Sequence, residues 1–390
     1  MPVSPIGPLP NANNQWQRRP FHVNAQPLAA EAGRAITRSS EAVVQSVQHM
    51  DWASLWDKTK KVFTTVGHGL FTLVTGTSFA ELKTVETPND PDDVNWDDAS
   101  KVEAADTQRK AAAAAERKAL AKLSPADRTT YKDLQTALGD RVLATRALQK
   151  LLVEGRLSGN LLAGLGGLAK QPLADGVDRA ALINDTLREV EDPVRVAQHW
   201  KGTCGATTAQ ILLIRQDPTE YVRLVAGLAS PAGTVQAKGG TVLRRASDWS
   251  ADNDGGRSVS SRLIQPAFMK LGEVLFAGYD NSDDAATIGP LHLGGGLLPQ
   301  GEASLLRQVT GKGYHSHMAM PWNRGALMDR LAKETANGPI PVSLNWGDGG
   351  HFVQVDKVAD GKVYLTNPWG EQDTMDVAEF KAHLTSIITA

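Results

Sequence analysis

The chain has 390 residues with 41 Lys and Arg against 43 Asp and Glu, so its formal net charge is −2. This balance of charge gives no basis for a nucleic-acid partner. A single cysteine excludes intramolecular disulfides and Cys-rich metal sites, and we predict neither a metal nor another cofactor. The length allows two domains, or one large domain with extensions.

The first part of the chain, residues 1–40, has the composition of a disordered tail. It is rich in Asn, Ser, Gln and Pro and contains one acidic residue, Glu31, so it cannot bury enough apolar surface to fold. Its early prolines and the lack of an apolar stretch are unlike a Sec secretory signal. The composition resembles the leaders of bacterial effectors that type III machinery injects into host cells. That resemblance implies a protein that stays in the bacterial cytoplasm until export and is then secreted without a Sec signal.

Residues 41–98 combine an amphipathic segment, an apolar segment and an acidic linker. Residues 41–61 have helical periodicity, and 62–80 contain no formal charge. The uncharged run could span a bilayer, but its repeated Thr and Gly favour a buried helix or hairpin, or a segment bound by a secretion chaperone. Association of residues 41–85 with a membrane surface is the alternative. We therefore expect residues 1 to about 90 to serve delivery or localisation and not chemistry.

Residues 99–190 are predicted to form an α-helical lead-in to the catalytic domain. An Ala-rich, charge-laced helix covers Lys101–Leu123 and offers only a narrow apolar stripe. Ser124-Pro125 begins a helical run that continues to Leu152, with Pro at the first helical position. Asp178 is the predicted N-cap of a further helix, which ends before Pro193.

The only cysteine of the chain lies in the next segment, which runs from Gln198 to Ile214. Cys204 follows the turn signal Gly202-Thr203 and begins a run of Ala, Gln, Ile and Leu, which predicts a helix with the thiol in its first turn. Unpaired backbone N–H groups and the helix dipole favour a thiolate there, so we expect a lowered thiol pKa. The alternative is an inert, buried cysteine that packs as a small hydrophobe.

The following segments are predicted to be structural. A helix is expected over Glu220–Leu228, a hairpin over Gly233–Arg245 and another helix over Ala326–Ala336. His315 and His317 have no acid or cysteine nearby that would complete a metal site.

The C-terminal part predicts a β-hairpin that carries a histidine and an asparagine. Alternating and β-branched residues lie on both sides of Asp360-Gly361, a strong turn signal. His351 begins one strand and Asn367 ends the other, so antiparallel pairing brings them to the same end of the hairpin. The Asn can accept from one ring N–H and leave the other nitrogen facing a thiol.

These residues resemble the papain-like cysteine peptidases. Gln198 lies six positions before Cys204, as does the oxyanion-hole Gln of the family, and Asn367 lies sixteen after His351, the papain spacing. Asn-Pro-Trp-Gly at 367–370 is similar to the calpain form of the Asn motif, in which a Trp, here Trp369, shields the His–Asn hydrogen bond.

The sequence departs from the papain pattern directly after the cysteine. Cys204 is followed by Gly205 instead of the aromatic pattern of papain and the cathepsins, and Cys-Gly-Ala is more similar to bacterial bacteriocin-processing peptidases. Those enzymes usually carry Asp as the third member of the triad. The resemblance implies an α+β, papain-like two-lobed fold over residues 191–390, with the active site in a cleft and the helical lead-in as an N-terminal extension.

The resemblance assigns a role to each of the four site residues. Cys204 is the nucleophile, His351 the general base and acid, Asn367 the residue that orients His351, and Gln198 an oxyanion donor. It implies hydrolysis of peptide bonds in a protein or peptide substrate. The residues themselves imply only acyl transfer from an amide, so a Gln deamidase, transglutaminase or acyltransferase effector is an alternative. A non-enzymatic scaffold or translocator is a second one, which the presence of all four residues disfavours.

Overall fold

The structure, a computed structural model, describes residues 99–251, 254–272, 278–288, 291–294, 296–346 and 349–390. The predicted tail and the segment 41–98 lie outside the described residues. Over the described ranges the chain has an α+β architecture, as predicted. None of the described helices is both long and apolar enough to cross a membrane.

The helices come mainly from the first two thirds of the described chain. They are α1 (Ala99–Ala111), α2 (Ala113–Leu120), α3 (Pro125–Leu138), α4 (Val142–Val153), α5 (Gly159–Lys170), α6 (Arg179–Glu191), α7 (Cys204–Gln216), α8 (Pro218–Ala229), α9 (Val259–Gly272), α10 (Pro299–Thr310), α11 (Arg324–Glu334) and α12 (Val377–His383).

The strands follow in chain order and lie mostly in the C-terminal third. They are β1 (Thr234–Gln236), β2 (Val242–Arg244), β3 (Gly278–Asp280), β4 (Ala285–Ile288), β5 (Leu291–Gly294), β6 (His315–Met318), β7 (Ile340–Trp346), β8 (Gly349–Ala359), β9 (Lys362–Asn367), β10 (Glu371–Asp376) and β11 (Leu384–Thr389). The pair β1–β2 confirms the predicted hairpin.

Local capping chemistry explains several helix boundaries. Ser124 accepts a hydrogen bond from the Asp127 backbone N–H, and Asp178 accepts from the first backbone N–H groups of α6, which confirms both predicted caps. The predicted continuous run to Leu152 is wrong, because Gly139 adopts φ 59° and separates α3 from α4. This conformation favours glycine, so the break depends on that residue.

Six of the described strands form one antiparallel sheet in the order β10-β9-β8-β7-β11-β6. Asp360 and Gly361, which connect β8 to β9, both have positive φ (54° and 73°), as a type I′ turn requires. This confirms the hairpin predicted from the Asp-Gly signal. The register shifts between Val355 and Lys357, so the hairpin contains a bulge.

Two apolar clusters make up the core of the described residues. The larger one joins α3–α10 and includes Cys204 and Phe352, and the smaller one lies along the six-stranded sheet under α11 and α12. The larger cluster contains Leu187 and Val190 from α6 together with Val196 and the residues of α7. The apolar packing of the helical lead-in is therefore continuous with that of the helix that carries the cysteine.

Arg215, near the end of α7, connects this helix to the strands β8 and β9. Its guanidinium donates to Gln354 Oε1 and to the Asp356 carboxylate on β8, and to Thr366 Oγ1 on β9 at 2.8 Å. Thr366 in turn donates to Asp356 at 2.7 Å. This polar cluster fixes the helix against the two strands that carry His351 and Asn367.

Candidate active site

Cys204 is the first residue of α7, as predicted, and its side chain is 2% exposed. Thr203 precedes the helix and donates from its hydroxyl to Gln265 Oε1 at 3.0 Å. Because the first backbone N–H groups of a helix have no acceptor within the helix, they are available to a ligand at this end. The thiol therefore lies among backbone donors.

The loop before Cys204 is held by an acid from the segment after β3. Both carboxylate oxygens of Asp284 lie 2.9 Å from the backbone nitrogen of Gly202, which donates to them. The Tyr279 hydroxyl donates to the same carboxylate at 2.9 Å. Asp284 itself has φ 52°, a conformation that non-glycine residues rarely adopt. The backbone of Asp284 is therefore strained at the position from which its carboxylate holds the cysteine loop.

Gln198 connects the cysteine loop with the segment that follows Asn367. Its backbone N–H donates to the Pro368 carbonyl, and its side-chain Nε2 donates to the Lys201 carbonyl, both at 2.8 Å. The side chain is 1% exposed, and its Oε1 is buried without a hydrogen-bond partner. The predicted oxyanion donor is thus buried between the two parts of the predicted site, with its amide nitrogen bonded to the cysteine loop.

His351 and Asn367 form the hydrogen bond that the hairpin predicts. His351 Nε2 lies 2.9 Å from Asn367 Oδ1, and the two side chains are 5% and 0% exposed. Since a carbonyl oxygen only accepts, Nε2 carries the proton and Nδ1 has the lone pair.

Two tryptophans enclose the imidazole of His351. Trp369 stacks on the ring with centroids 4.7 Å apart and an interplanar angle of 29°, and the Trp346 ring lies 5.1 Å away. The two indoles also contact each other edge to face at 5.5 Å. These contacts limit the rotation of the imidazole and keep water from the His351–Asn367 hydrogen bond.

Burial dominates the protonation of the thiol. Burial raises the pKa of Cys204 to about 12, against the lowering effect of hydrogen bonds from the backbone amides of Phe352 and Gly205. The nearby carboxyl groups of Glu302 and Asp284 raise it further. Burial also lowers the pKa of His351 to about 4, although the Asn367 hydrogen bond opposes this. The expected low thiol pKa is wrong for this closed arrangement, in which the pair is a neutral thiol and a neutral imidazole.

The amide of Phe352 also shows where the sulfur lies. Phe352 directly follows His351 on β8, and its backbone N–H interacts with Cys204. The structure therefore brings Cys204, His351 and Asn367 to one place, although they come from α7, β8 and β9. The site is buried and not the open, solvent-lined cleft expected from the resemblance.

Glu302 is a neighbour of the site that the sequence does not reveal. It lies in the first turn of α10, is fully buried, and neither carboxyl oxygen has a hydrogen-bond partner. Burial raises the pKa of this carboxyl well above its usual value. A Cβ at Gly205 would lie 2.9 Å from Glu302 Oε2 and 3.2 Å from Leu297. Glu302 and Leu297 therefore fill the space beside Gly205 and leave no room for a larger side chain there.

A buried polar network connects α6 with the residue before Gln198. The Ser261 hydroxyl donates to Glu189 on α6, and Gln210 Nε2 donates to Ser261, each at 3.1 Å. Gln265 Nε2 donates to Gln210 Oε1 at 3.1 Å and to the Ala197 carbonyl at 3.2 Å. The predicted lead-in thus contributes a side chain to the network that supports the site.

Neither a scan against protein-family models nor a search of the curated proteins finds a match for this chain. Within the described ranges, no group of three or more His, Cys, Asp or Glu residues is placed to hold a metal ion. The chemistry of the candidate site therefore rests on the geometry of its own side chains.

Proposed function

We propose that this protein is a papain-like cysteine peptidase that hydrolyses peptide bonds in a protein or peptide substrate. The observation that carries the proposal is the buried His351–Asn367 hydrogen bond, whose imidazole packs against Trp346 and Trp369. The next residue along the strand, Phe352, interacts with Cys204 through its backbone amide. A general base must present one defined nitrogen to the thiol, and this hydrogen bond defines which nitrogen of His351 has the lone pair.

The arrangement of secondary structure supports the papain-like part of the proposal. A buried helix that begins at the cysteine packs against an antiparallel sheet that carries the histidine and the asparagine. The Arg215 cluster fixes the relative position of helix and strands. A two-lobed peptidase needs this division, because its nucleophile and base come from different sides.

In the acylation step, His351 Nδ1 takes the thiol proton while the Cys204 sulfur attacks the carbonyl carbon of the scissile amide. The electron pair of the carbonyl double bond moves to its oxygen. When the tetrahedral intermediate collapses, the C–N bond breaks, and His351 delivers the proton to the leaving amine. A thioester on Cys204 and a free amine result.

In the deacylation step, His351 Nδ1 accepts a proton from a water molecule that attacks the thioester carbon. The C–S bond then breaks, the carboxylic acid leaves, and the proton returns to Cys204. Throughout both steps, Nε2–H stays hydrogen bonded to Asn367 Oδ1, which stabilises the imidazolium when it forms.

Two donors serve the oxyanion in this mechanism. They are the backbone N–H of Cys204 and the second N–H of the Gln198 amide, whose other proton is bonded to Lys201. Each is worth about 3 kcal/mol of transition-state stabilisation. Since Cys204 is 2% and His351 5% exposed, a substrate reaches the sulfur only after part of the surrounding structure moves.

The test combines a thiol-reactive activity probe with mass spectrometry. The wild-type protein should be labelled at Cys204 and should cut a mixture of denatured proteins into fragments, while Cys204→Ser should do neither. Intact proteins about one dalton heavier would indicate a deamidase in place of a peptidase. If the wild type is neither labelled nor active, Cys204 is an inert cysteine that packs in the core.

A further inference from the structure

The amide of Asn367 has a partner at each end. Its Oδ1 accepts from His351 Nε2 at 2.9 Å, and its Nδ2 donates to Asp373 Oδ2, also at 2.9 Å. The side chain is fully buried, so no water replaces either partner. The two ends of an amide have nearly the same shape, and only hydrogen-bond partners decide which end faces which neighbour.

We propose that Asp373 is a positioning residue for the catalytic pair, because it forces the Asn367 amide to present its oxygen to His351. The inference rests on the function proposed above. A carboxylate only accepts hydrogen bonds, so it selects the NH₂ end of Asn367. The oxygen must then face the imidazole, which places the proton on Nε2.

This chain of donors and acceptors decides which histidine nitrogen is the base. With the proton on Nε2, Nδ1 has the lone pair that takes the thiol proton. If the amide turned by 180°, its NH₂ group would face Nε2, which would then have to accept. The proton would move to Nδ1, and the nitrogen that takes the thiol proton in the proposed mechanism would no longer be a base.

The strand β10 delivers Asp373 to this position. Glu371 pairs with Asn367 and Asp373 pairs with Leu365, so Asp373 is the diagonal neighbour of Asn367 on the adjacent strand. Burial raises the pKa of the Asp373 carboxyl, and the hydrogen bond from Asn367 opposes that shift. Asp373 is half-buried on the edge strand of the sheet and accepts a hydrogen bond from the Asn367 amide. Its role is therefore more specific than that of a surface acid that keeps the protein soluble.

The first experiment measures the effect of removing the carboxylate. Asp373→Ala should lower kcat about ten- to hundredfold with KM little changed. Losses of this size follow when a residue that orients a metal-bound histidine in a metalloenzyme is replaced. Asp373→Asn should keep most of the activity, because its side-chain oxygen can still accept from Asn367. The matched control is Thr374→Ala, on the exposed face of the same strand, which should behave as wild type.

A second readout needs no substrate. In ¹⁵N NMR spectra of the imidazole, His351 should be the Nε2–H form in the wild type and lose this preference in Asp373→Ala. Retention of both the Nε2–H form and full kcat in Asp373→Ala would overturn the inference. Should the wild type cleave no peptide, the proposed function would fail, and the NMR result would still decide the role of Asp373.

An exchange of the two side chains tests the same point if Asp373→Ala does not fold. Asn367→Asp alone places two carboxylates in contact, so one must hold a proton and the variant should be impaired. The double variant Asn367→Asp/Asp373→Asn restores one donor facing one acceptor and should recover at least tenfold over the single variant. A double variant no better than the single one contradicts the inference.

Discussion

The two sides of the candidate site differ in how their titratable groups are held. On the sheet side, His351, Asn367 and Asp373 form a series of hydrogen bonds, and two indoles pack on the His351 ring. On the helix side, Cys204 is buried beside Glu302, whose carboxyl oxygens have no partner.

This difference separates the orientation of the imidazole, on the sheet side, from the activation of the thiol, on the helix side. The sheet side already holds its base in one tautomer, so it needs no rearrangement for catalysis. The helix side holds a protonated thiol in an apolar and partly acidic environment, which disfavours the thiolate. In the proposed mechanism, the sheet side therefore provides a preorganised base, and the helix side becomes reactive only as the proton moves to His351 or as substrate opens the site.

The largest expected effect comes from removing either Cys204, on the helix side, or His351, on the sheet side. Cys204→Ala and His351→Ala should both reduce turnover to background, because the first loses the nucleophile and the second its base and acid. Kinetics with a cleavable peptide check this.

The control for these two variants is His317→Ala, on β6 away from the site, which should keep wild-type turnover. Because His351 is buried between tryptophans, His351→Ala should also lower the melting temperature. An unchanged melting temperature would contradict the closed arrangement, and retained turnover would refute the assignment of the base.

Gln198 tests whether the loop on the helix side contributes to the oxyanion site. Gln198→Ala should lower kcat about 10²–10³-fold with KM little changed, since one of two oxyanion donors is lost. Gln216→Ala, at the exposed end of α7, is the control and should have no effect on kcat. A rise in KM at constant kcat would instead assign Gln198 to substrate binding.

Arg215 tests whether the two sides are held together by their polar cluster. Arg215→Met should lower the free energy of unfolding by about 2 kcal/mol, because Asp356 and Gln354 lose a charged donor in a partly buried position. Denaturant titration measures the change. Lys362→Met, in the exposed pair with Asp376, should leave the free energy of unfolding almost unchanged. Equal effects of both variants would mean that the cluster does not fix the helix.

The smallest effect concerns the unsatisfied acid on the helix side. The folded-state pKa of Glu302 is raised, so its contribution to stability is fully present below the unfolded value of about 4.3 and is lost as the pH rises through the folded value. Glu302→Gln cannot ionise, so it should lose less stability than the wild type between pH 4 and pH 8. Melting temperatures over this range measure the difference.

Glu103→Gln, on the exposed surface of α1, is the control for Glu302→Gln and should follow the wild-type pH profile. Burial raises the pKa of Glu189 in the same direction, but this residue is present in all three proteins and cancels in the comparison. Parallel profiles of Glu302→Gln and wild type would show that Glu302 is not held neutral.

The sequence by itself determined the local features of the site. Gly202-Thr203 followed by an apolar run predicts the helix that begins at Cys204, and Asp360-Gly361 predicts the hairpin that joins His351 to Asn367. These features depend on turn and helix chemistry within a few residues, which sequence patterns record directly. The peptidase activity and the papain-like classification stay predictions.

Only the tertiary structure decided the electrostatics of the site and the partners of its residues. Glu302, Asp284 and Arg215 are far from the site motifs in sequence, and no local pattern marks them as neighbours of Cys204, Gly202 or β8. The direction of the thiol pKa shift followed from burial, which depends on the packing of distant segments and outweighs the backbone hydrogen bonds to the sulfur. The orientation of the Asn367 amide likewise depended on Asp373, which reaches it only because β10 folds back beside β9.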